Sequence, residues 1–175
     1  MLQKIFIICL FTLSSLATAL PYTLKITTQE LQEKLTKQLP IEKKAAYISA
    51  KIYDSQVNLI EGSDEIGVFT NMDLTVFGSI KGSGRAYAKG VITYNVEKGA
   101  FYLINPNIVS LDIENIPPDF IPDIKKIAQL SLEQALKISP FYLFSDQKTQ
   151  EKMAKSSLES IQVKDQTLLI KMSLL

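Results

Sequence analysis

The chain has 175 residues, 46% of them hydrophobic, with 19 basic and 18 acidic side chains, no histidine, no tryptophan and one cysteine. Near-neutrality without a basic cluster argues against nucleic acid as a partner, because phosphate binding needs a cationic surface. The absence of histidine, with the single Cys9 near the N-terminus, removes the usual general base, the usual nucleophile pair and nearly all zinc sites.

The chain begins Met1-Leu2-Gln3-Lys4, continues apolar from Ile5 to Leu16, and reaches Ala17-Thr18-Ala19. A charged start, a short apolar run and a small-x-small site predict a secretory signal peptide over residues 1–19, cleaved after Ala19. The alternative is an uncleaved N-terminus that tethers the chain to the inner membrane, but the run is short for a span of about 20 residues. Cleavage leaves about 156 residues (175 less 19), a single domain over residues 20–175. Loss of Lys4 makes this domain formally neutral, with no general reason for strong attraction to anionic lipid. Loss of Cys9 leaves it without a disulfide, and Cys9 lacks the context of a lipidation site. The bacterial periplasm is the compartment that fits.

Tyr22 to Ile26 reads as a short strand. Thr27 and Glu30 have capping-box spacing, and Leu31, Leu35 and Leu39 recur at i, i+4 and i+8 until Pro40, which predicts a first helix with one packed face. From Ala46 to Ile52 the period is two; the apolar phase then shifts to Val57 and Leu59, which places a turn or bulge near Asp54 and Ser55. Glu61 to Glu65 reads as a turn, and Ile66, Val68, Thr70, Met72, Leu74 and Val76 form the clearest strand face. Gly78, Gly82 and Gly84 predict a bend. Ala86 to Val96 returns in alternation, Glu97-Lys98-Gly99 turns the chain, and Phe101, Leu103, Val109, Leu111 and Ile113 share the next apolar face, with a bulge or edge position at Pro106.

Pro117 and Pro118 then lead into a helix over Asp119 to Ser139, with Asp119 as its N-cap. At 100° per residue its apolar and small residues fill roughly two thirds of the wheel, against about 100° or somewhat more for an ordinary surface helix. Such a helix needs cover on more than one side, and a long coiled antiparallel sheet can supply it. After Pro140, Phe141 to Phe144 reads as a strand and Asp146 to Ser156 as a short polar helix. Ile161 to Val163 and Thr167 to Leu174 form a terminal hairpin. The fold class is therefore α+β: a long coiled antiparallel β-sheet wrapped around one long buried helix, with a short N-terminal helix.

No catalytic or metal-binding constellation stands out and no cofactor is implied. Gly78, Gly82, Gly84 and Arg85 lack the Gly-Lys-Ser/Thr and the following helix of a phosphate loop. The carboxylates are dispersed, so the reading is non-enzymatic. The apolar faces are the constellation with functional content. A closed core is the plain reading, since interiors pack near crystal density. The sharper one is a slot for an acyl chain, lined by Met72, Leu74, Ile92, Tyr94, Leu103, Ile124, Ala128, Ser131 and Leu132.

Three stretches carry a family resemblance: Tyr22-Thr-Leu-Lys-Ile-Thr-Thr-Gln-Glu-Leu31, Val96-Glu-Lys-Gly-Ala-Phe-Tyr-Leu103, and the helix followed by Pro140-Phe-Tyr-Leu143. They are similar to the YceB-like family of bacterial envelope lipoprotein domains of unknown function. The resemblance implies one half of a tubular lipid-binding (TULIP) fold, a long helix wrapped by a coiled antiparallel sheet. This chain departs from the family in lacking its lipoprotein cysteine, Ala19 and Leu20 standing at the cleavage site, so no stable membrane anchor is expected. The resulting expectation is a periplasmic protein that binds a lipid or other hydrophobic small molecule between helix and concave sheet. The alternative is an envelope protein-protein interaction module with a dry core.

Overall fold

The computed structural model describes residues 21–138, 140–143 and 156–174; the predicted signal peptide, most of the predicted polar helix over 146–156, and Phe144 lie outside the described residues. Among the described residues, nine strands form two antiparallel sheets. The larger runs β2(Ile41–Ala45), β3(Ile48–Leu59), β4(Glu65–Val76), β5(Ile80–Asn95), β6(Ala100–Glu114), β7(Tyr142–Leu143) and curls into a half-barrel. The smaller has the order β1(Pro21–Thr27), β9(Thr167–Leu174), β8(Ser156–Lys164).

The first helix, α1(Thr28–Thr36), starts on the expected capping box: Thr27 Oγ1 accepts the Glu30 N–H at 3.2 Å, and Glu30 Oε2 accepts the Thr27 N–H at 2.9 Å. It ends four residues before Pro40, with Leu31 buried. The terminal hairpin turns at Asp165 and Gln166, both at positive φ (51° and 56°), the conformation whose twist matches antiparallel strands.

The half-barrel is bent where its strands bulge. On β3 the register jumps between Tyr53 and Gln56, with Asp54 at φ 47°, where the shifted apolar phase placed a bulge. On β6 there are two irregularities: Asn105 and Pro106 lie between the pairs Val91↔Ile104 and Lys89↔Asn107, and Val109 lies between Ala88↔Ile108 and Tyr87↔Ser110. The second shifts the inward face, so Ile108 is buried and Val109 is 47% exposed. Val109 therefore does not share the face of Leu103, contrary to the alternation.

The bulges leave strand backbone groups without ladder partners, and a glutamine from each helix takes them up. From α1, Gln32 Nε2 donates to the Ser55 carbonyl at 2.8 Å, while its Oε1 accepts the Val57 N–H at 2.9 Å. From the second helix, α2(Ile121–Ile138), Gln129 Nε2 donates to the Pro106 carbonyl at 2.6 Å and its Oε1 accepts the Ile108 N–H at 3.0 Å. Each helix is thus fixed to the sheet at the point where the strand bends. Buried or half-buried backbone groups need such partners, or their desolvation goes uncompensated. Helix α1 also reaches the other margin of the sheet: Lys34 Nζ lies 4.4 Å from the Tyr142 ring centroid and 3.4 Å from the Leu143 carbonyl on β7.

Several expectations are corrected. Helix α2 is not buried on most of its circumference. It covers the sheet with one side; among its described residues only Ile124 is fully buried, and Leu130 is 48% exposed. Ala128, Ser131 and Ala135 sit within the predicted arc and tolerate partial exposure, so the wheel overstated the cover. Asp119 is no N-cap; it sits inside a 3-10 turn, Pro118–Phe120, that precedes α2 and whose own N-cap is Pro117. Gly82 and Gly84 belong to β5, and the bend is at Phe77 to Ser79. A Cβ at Gly82 would strike the Glu114 carbonyl and the Ile116 side chain, which explains why the strand needs glycine there. Ala46 stands in a turn at φ 50°, because residues 41–45 form a strand of their own. Val96 is in the turn after β5 and is 38% exposed. Ser156 belongs to β8.

Candidate functional site

The buried core is in two pieces. At one end, Leu59 and Ile66, Ile92, Phe101 and Leu103 pack with Leu31 of α1 and with Ile26, Val163, Leu168, Ile170 and Met172 of the small sheet. This end is also tied by backbone bonds, Gly62 N–H to the Val163 carbonyl at 3.0 Å and Val163 N–H to the Ser63 carbonyl at 2.8 Å. At the other end, Ile48, Met72, Leu74, Val76, Ala86 and Ile116 pack with Ile124 of α2.

The nine predicted lining residues are distributed over both ends and the interval between them. Met72, Leu74 and Ile124 belong to the second cluster, with exposures of 7%, 2% and 2%. Ile92 and Leu103 belong to the first, and Tyr94 packs against it, its ring 4.9 Å from that of Phe101. Ala128, Ser131 and Leu132 are half-buried on α2 and belong to neither. The structure therefore places six of the nine in two packed clusters and leaves three on the helix surface between those clusters.

The concave sheet between the clusters is floored by short side chains. Cross-strand partners share a face, so Val57 and Val68, Ala88 and Ile108 form one inward row across β3 to β6. Val57, Val68 and Ala88 are half-buried, Val57 against the first cluster, and Gly90, buried, lies one inward step further along β5. The β3 bulge turns Ser55 inward, where it is 4% exposed and its Oγ shares a 2.7 Å hydrogen bond with Thr70 Oγ1. The sequence marks Ser55 only as a bulge position and Thr70 only as part of a strand face, and it does not single out Gln32 or Gln129. The phase shift at Asp54 could have identified Ser55, but nothing local marks a glutamine that will bond to a distant bulge.

The electrostatics here are quiet. Burial pushes the Tyr94 phenol up to about 12, with the nearby Tyr22 adding to it, so the hydroxyl stays protonated at neutral pH. Ion pairs lie outside: Arg85–Asp112 at 3.0 Å, both well exposed, and Lys89–Glu65 at 2.9 Å. Exposed pairs of this kind contribute about 1 kcal/mol or less. A depression of about 260 Å³ on the β2–β4 side has Lys43, Lys44, Lys51, Glu42 and Asp73 among its lining residues, away from the concave interval. Among the described residues no group of three or more acidic, histidine or cysteine side chains could hold a metal ion. Among them, too, no helix is long and apolar enough to cross a membrane. What the concave interval offers chemically is apolar surface beside the Ser55–Thr70 hydroxyl pair.

No curated protein matches this chain. Residues 26–167, from the first strand to the start of the last, match the family described as "Protein of unknown function (DUF1439)", and the chain belongs to that family.

Proposed function

We propose that this is a non-enzymatic protein that holds a lipid or another hydrophobic small molecule between α2 and the concave face of the larger sheet. The observation that carries the reading is the division of the core. Both ends are packed, while the interval between them presents Val68, Ala88 and Gly90 on the sheet and Ala128, Ser131 and Leu132 on the helix. Ligand sites for apolar molecules have this composition, small and aliphatic with few polar groups. The two helices meet the sheet at separate bulges, which fixes them apart. The YceB-like resemblance, with its half-TULIP architecture, supports the same use. Export to the periplasm through a cleaved signal peptide is part of the proposal.

The test uses cis-parinaric acid, whose emission rises in an apolar site. The expected result is saturable emission with the wild-type chain and none with Ser131→Phe, whose circular dichroism stays native. No saturable emission with the wild-type chain refutes the proposal. Equal binding by Ser131→Phe places the acid elsewhere.

A second reading has its own observation. Among the described residues, β6 pairs on its outer side only through Ala100 and Phe101, against β7. A partner's strand could add to that edge beyond Ile108, since Gln129 of α2 takes the Pro106 carbonyl and the Ile108 N–H, the mode of an interaction module with a dry core. Capture of an envelope protein by the chain, lost on substituting Val109→Pro, would favour it.

A further inference from the structure

At the end of the sheet where β2 turns into β3 and β4 into β5, three rings from three segments meet. Tyr47 stacks on Phe77 with centroids 4.4 Å apart and planes at 7°, and Phe77 meets Phe120 edge-on at 5.9 Å and 70°. The Phe77 N–H donates to the Tyr47 carbonyl at 2.8 Å, and the Tyr47 hydroxyl donates to Asp123 Oδ2, also at 2.8 Å, so both turns are tied to each other and to α2. Tyr47 and Phe120 pack against the nearby core cluster, whereas Phe77 keeps 60% of its surface in water.

Two features of Phe77 are costly for folding alone. It is a large exposed hydrophobic, and it stands at φ 51° in a turn followed by Gly78 at φ 73°. Tight hairpin turns with positive φ at both central residues favour asparagine, aspartate or glycine, and a bulky residue there is an outlier. The turn thus holds an aromatic ring, in a disfavoured backbone conformation, at the apex of a fixed cluster.

Charge is layered behind the rings. The ladder row nearest this end, Ala45, Ile48, Val76, Ile80, is uncharged, and the row behind it is Lys44, Ser49, Thr75, Lys81, whose charges are two lysines. Then comes Lys43, Ala50, Leu74, Gly82, with one more lysine, and after it Glu42, Lys51, Asp73, Ser83, Glu114, where acids prevail. Lys125 and Lys126 are exposed near the start of α2; of the acids there, Asp123 is bound to Tyr47 and Asp119 is exposed. Formal neutrality of the whole chain conceals this order. A second copy meeting this end head-on would bring lysines against lysines, while an anionic interface would meet rings first and lysines next. Aromatic side chains favour the boundary between head groups and acyl chains, and lysines favour anionic head groups.

We propose that this aromatic end docks the protein on an anionic phospholipid surface, with Phe77 entering the interface and Lys44 and Lys81 facing the head groups. The proposal stands on the tip alone and does not require the concave interval to hold lipid.

The chain has no tryptophan, so Phe77→Trp in the full chain is a unique reporter. With vesicles of phosphatidylcholine and phosphatidylglycerol its emission shifts to the blue and is quenched by brominated lipid. Phe69→Trp, on the convex face where Phe69 is 49% exposed, stays unchanged. Each lysine near an anionic surface contributes about 5-fold (about 1 kcal/mol), so Lys44→Gln with Lys81→Gln lowers partition about 30-fold. Phe77→Asn suits the positive φ, keeps or raises the urea midpoint, and weakens vesicle binding. An unshifted Phe77→Trp, an equal shift at Phe69→Trp, equal binding to phosphatidylcholine alone, or a vesicle-independent shift that grows with protein concentration would each overturn the proposal. A chain that binds cis-parinaric acid but shows no tip shift refutes the docking alone; a tip shift without acid binding refutes the groove alone.

Discussion

Gln129→Met removes the amide that joins α2 to the β6 bulge and keeps a side chain of similar length. The lost bonds to the sheet are the 2.6 Å contact to the Pro106 carbonyl and the 3.0 Å contact from the Ile108 N–H, both part-buried; an exposed 2.7 Å bond to Glu133 Oε1 within the helix goes with them. A hydrogen bond of this kind contributes about 1 kcal/mol net, and stranded backbone groups raise the cost where water cannot reach them. Since Gln129 is only half-buried, water can satisfy part of the deficit, and the expected loss is about 2 kcal/mol. With a urea m-value of about 2 kcal/mol/M, the midpoint falls by about 1 M with m unchanged. Gln134→Met, exposed on the same helix, is the control and shifts the midpoint by less than about 0.2 M. Gln32→Met, at the other bulge, shares no hydrogen-bond partner with Gln129, so its loss adds to that of Gln129→Met in the double variant. A Gln129→Met midpoint within about 0.2 M of wild type would refute the idea that the glutamines hold the helices to the sheet.

Three further outcomes follow from particular contacts. Gly82→Ala should destabilise more than Gly67→Ala, because a Cβ at 82 meets a strand carbonyl whereas at 67 it meets the movable Tyr87 ring; urea midpoints decide, with overpacking costs of about 1 to 3 kcal/mol as the scale. The raised Tyr94 phenol holds its proton more tightly in the folded chain than in the unfolded one. Its stabilisation is complete below the ordinary pKa of 10.0, declines as the unfolded chain ionises, and is gone above about 12. Between those values Tyr94→Phe should lose stability less steeply than wild type in urea titrations, and parallel curves would remove Tyr94 from the alkaline transition. Ala128→Trp should abolish cis-parinaric acid binding with little change in midpoint; a drop of several kcal/mol would mean that the interval is a tightly packed core.

How much of this was legible in the sequence depends on how local its cause is. The Thr27–Glu30 capping box, the Asp54 bulge and the alternation of β4 are set by neighbouring residues, and each is where its pattern put it. Pro106 flagged one irregularity in β6, but nothing flagged the second, so Val109 was assigned inward. Strand β2, Ile-Glu-Lys-Lys-Ala, escaped because an edge strand with charged, solvated positions has no alternation to read. The pairing of β1 with β9 joins residues about 150 apart and leaves no local trace. The candidate site shows the same division. Its residues are chosen by hydrophobicity, which carries no sign that the core divides into two clusters or that a glutamine of each helix bonds to a distant bulge. The aromatic end was missed because Tyr47, Phe77 and Phe120 are far apart in sequence and meet only through the topology.

The most direct test of ligand carriage is native mass spectrometry of the chain purified from a bacterial periplasm without detergent, paired with organic extraction of the same sample. The expected result is a stoichiometric adduct in the mass range of a fatty acid or phospholipid, recovered in the extract and absent from Ser131→Phe. A bare mass that persists after incubation with lipid vesicles would contradict a lipid held between α2 and the sheet.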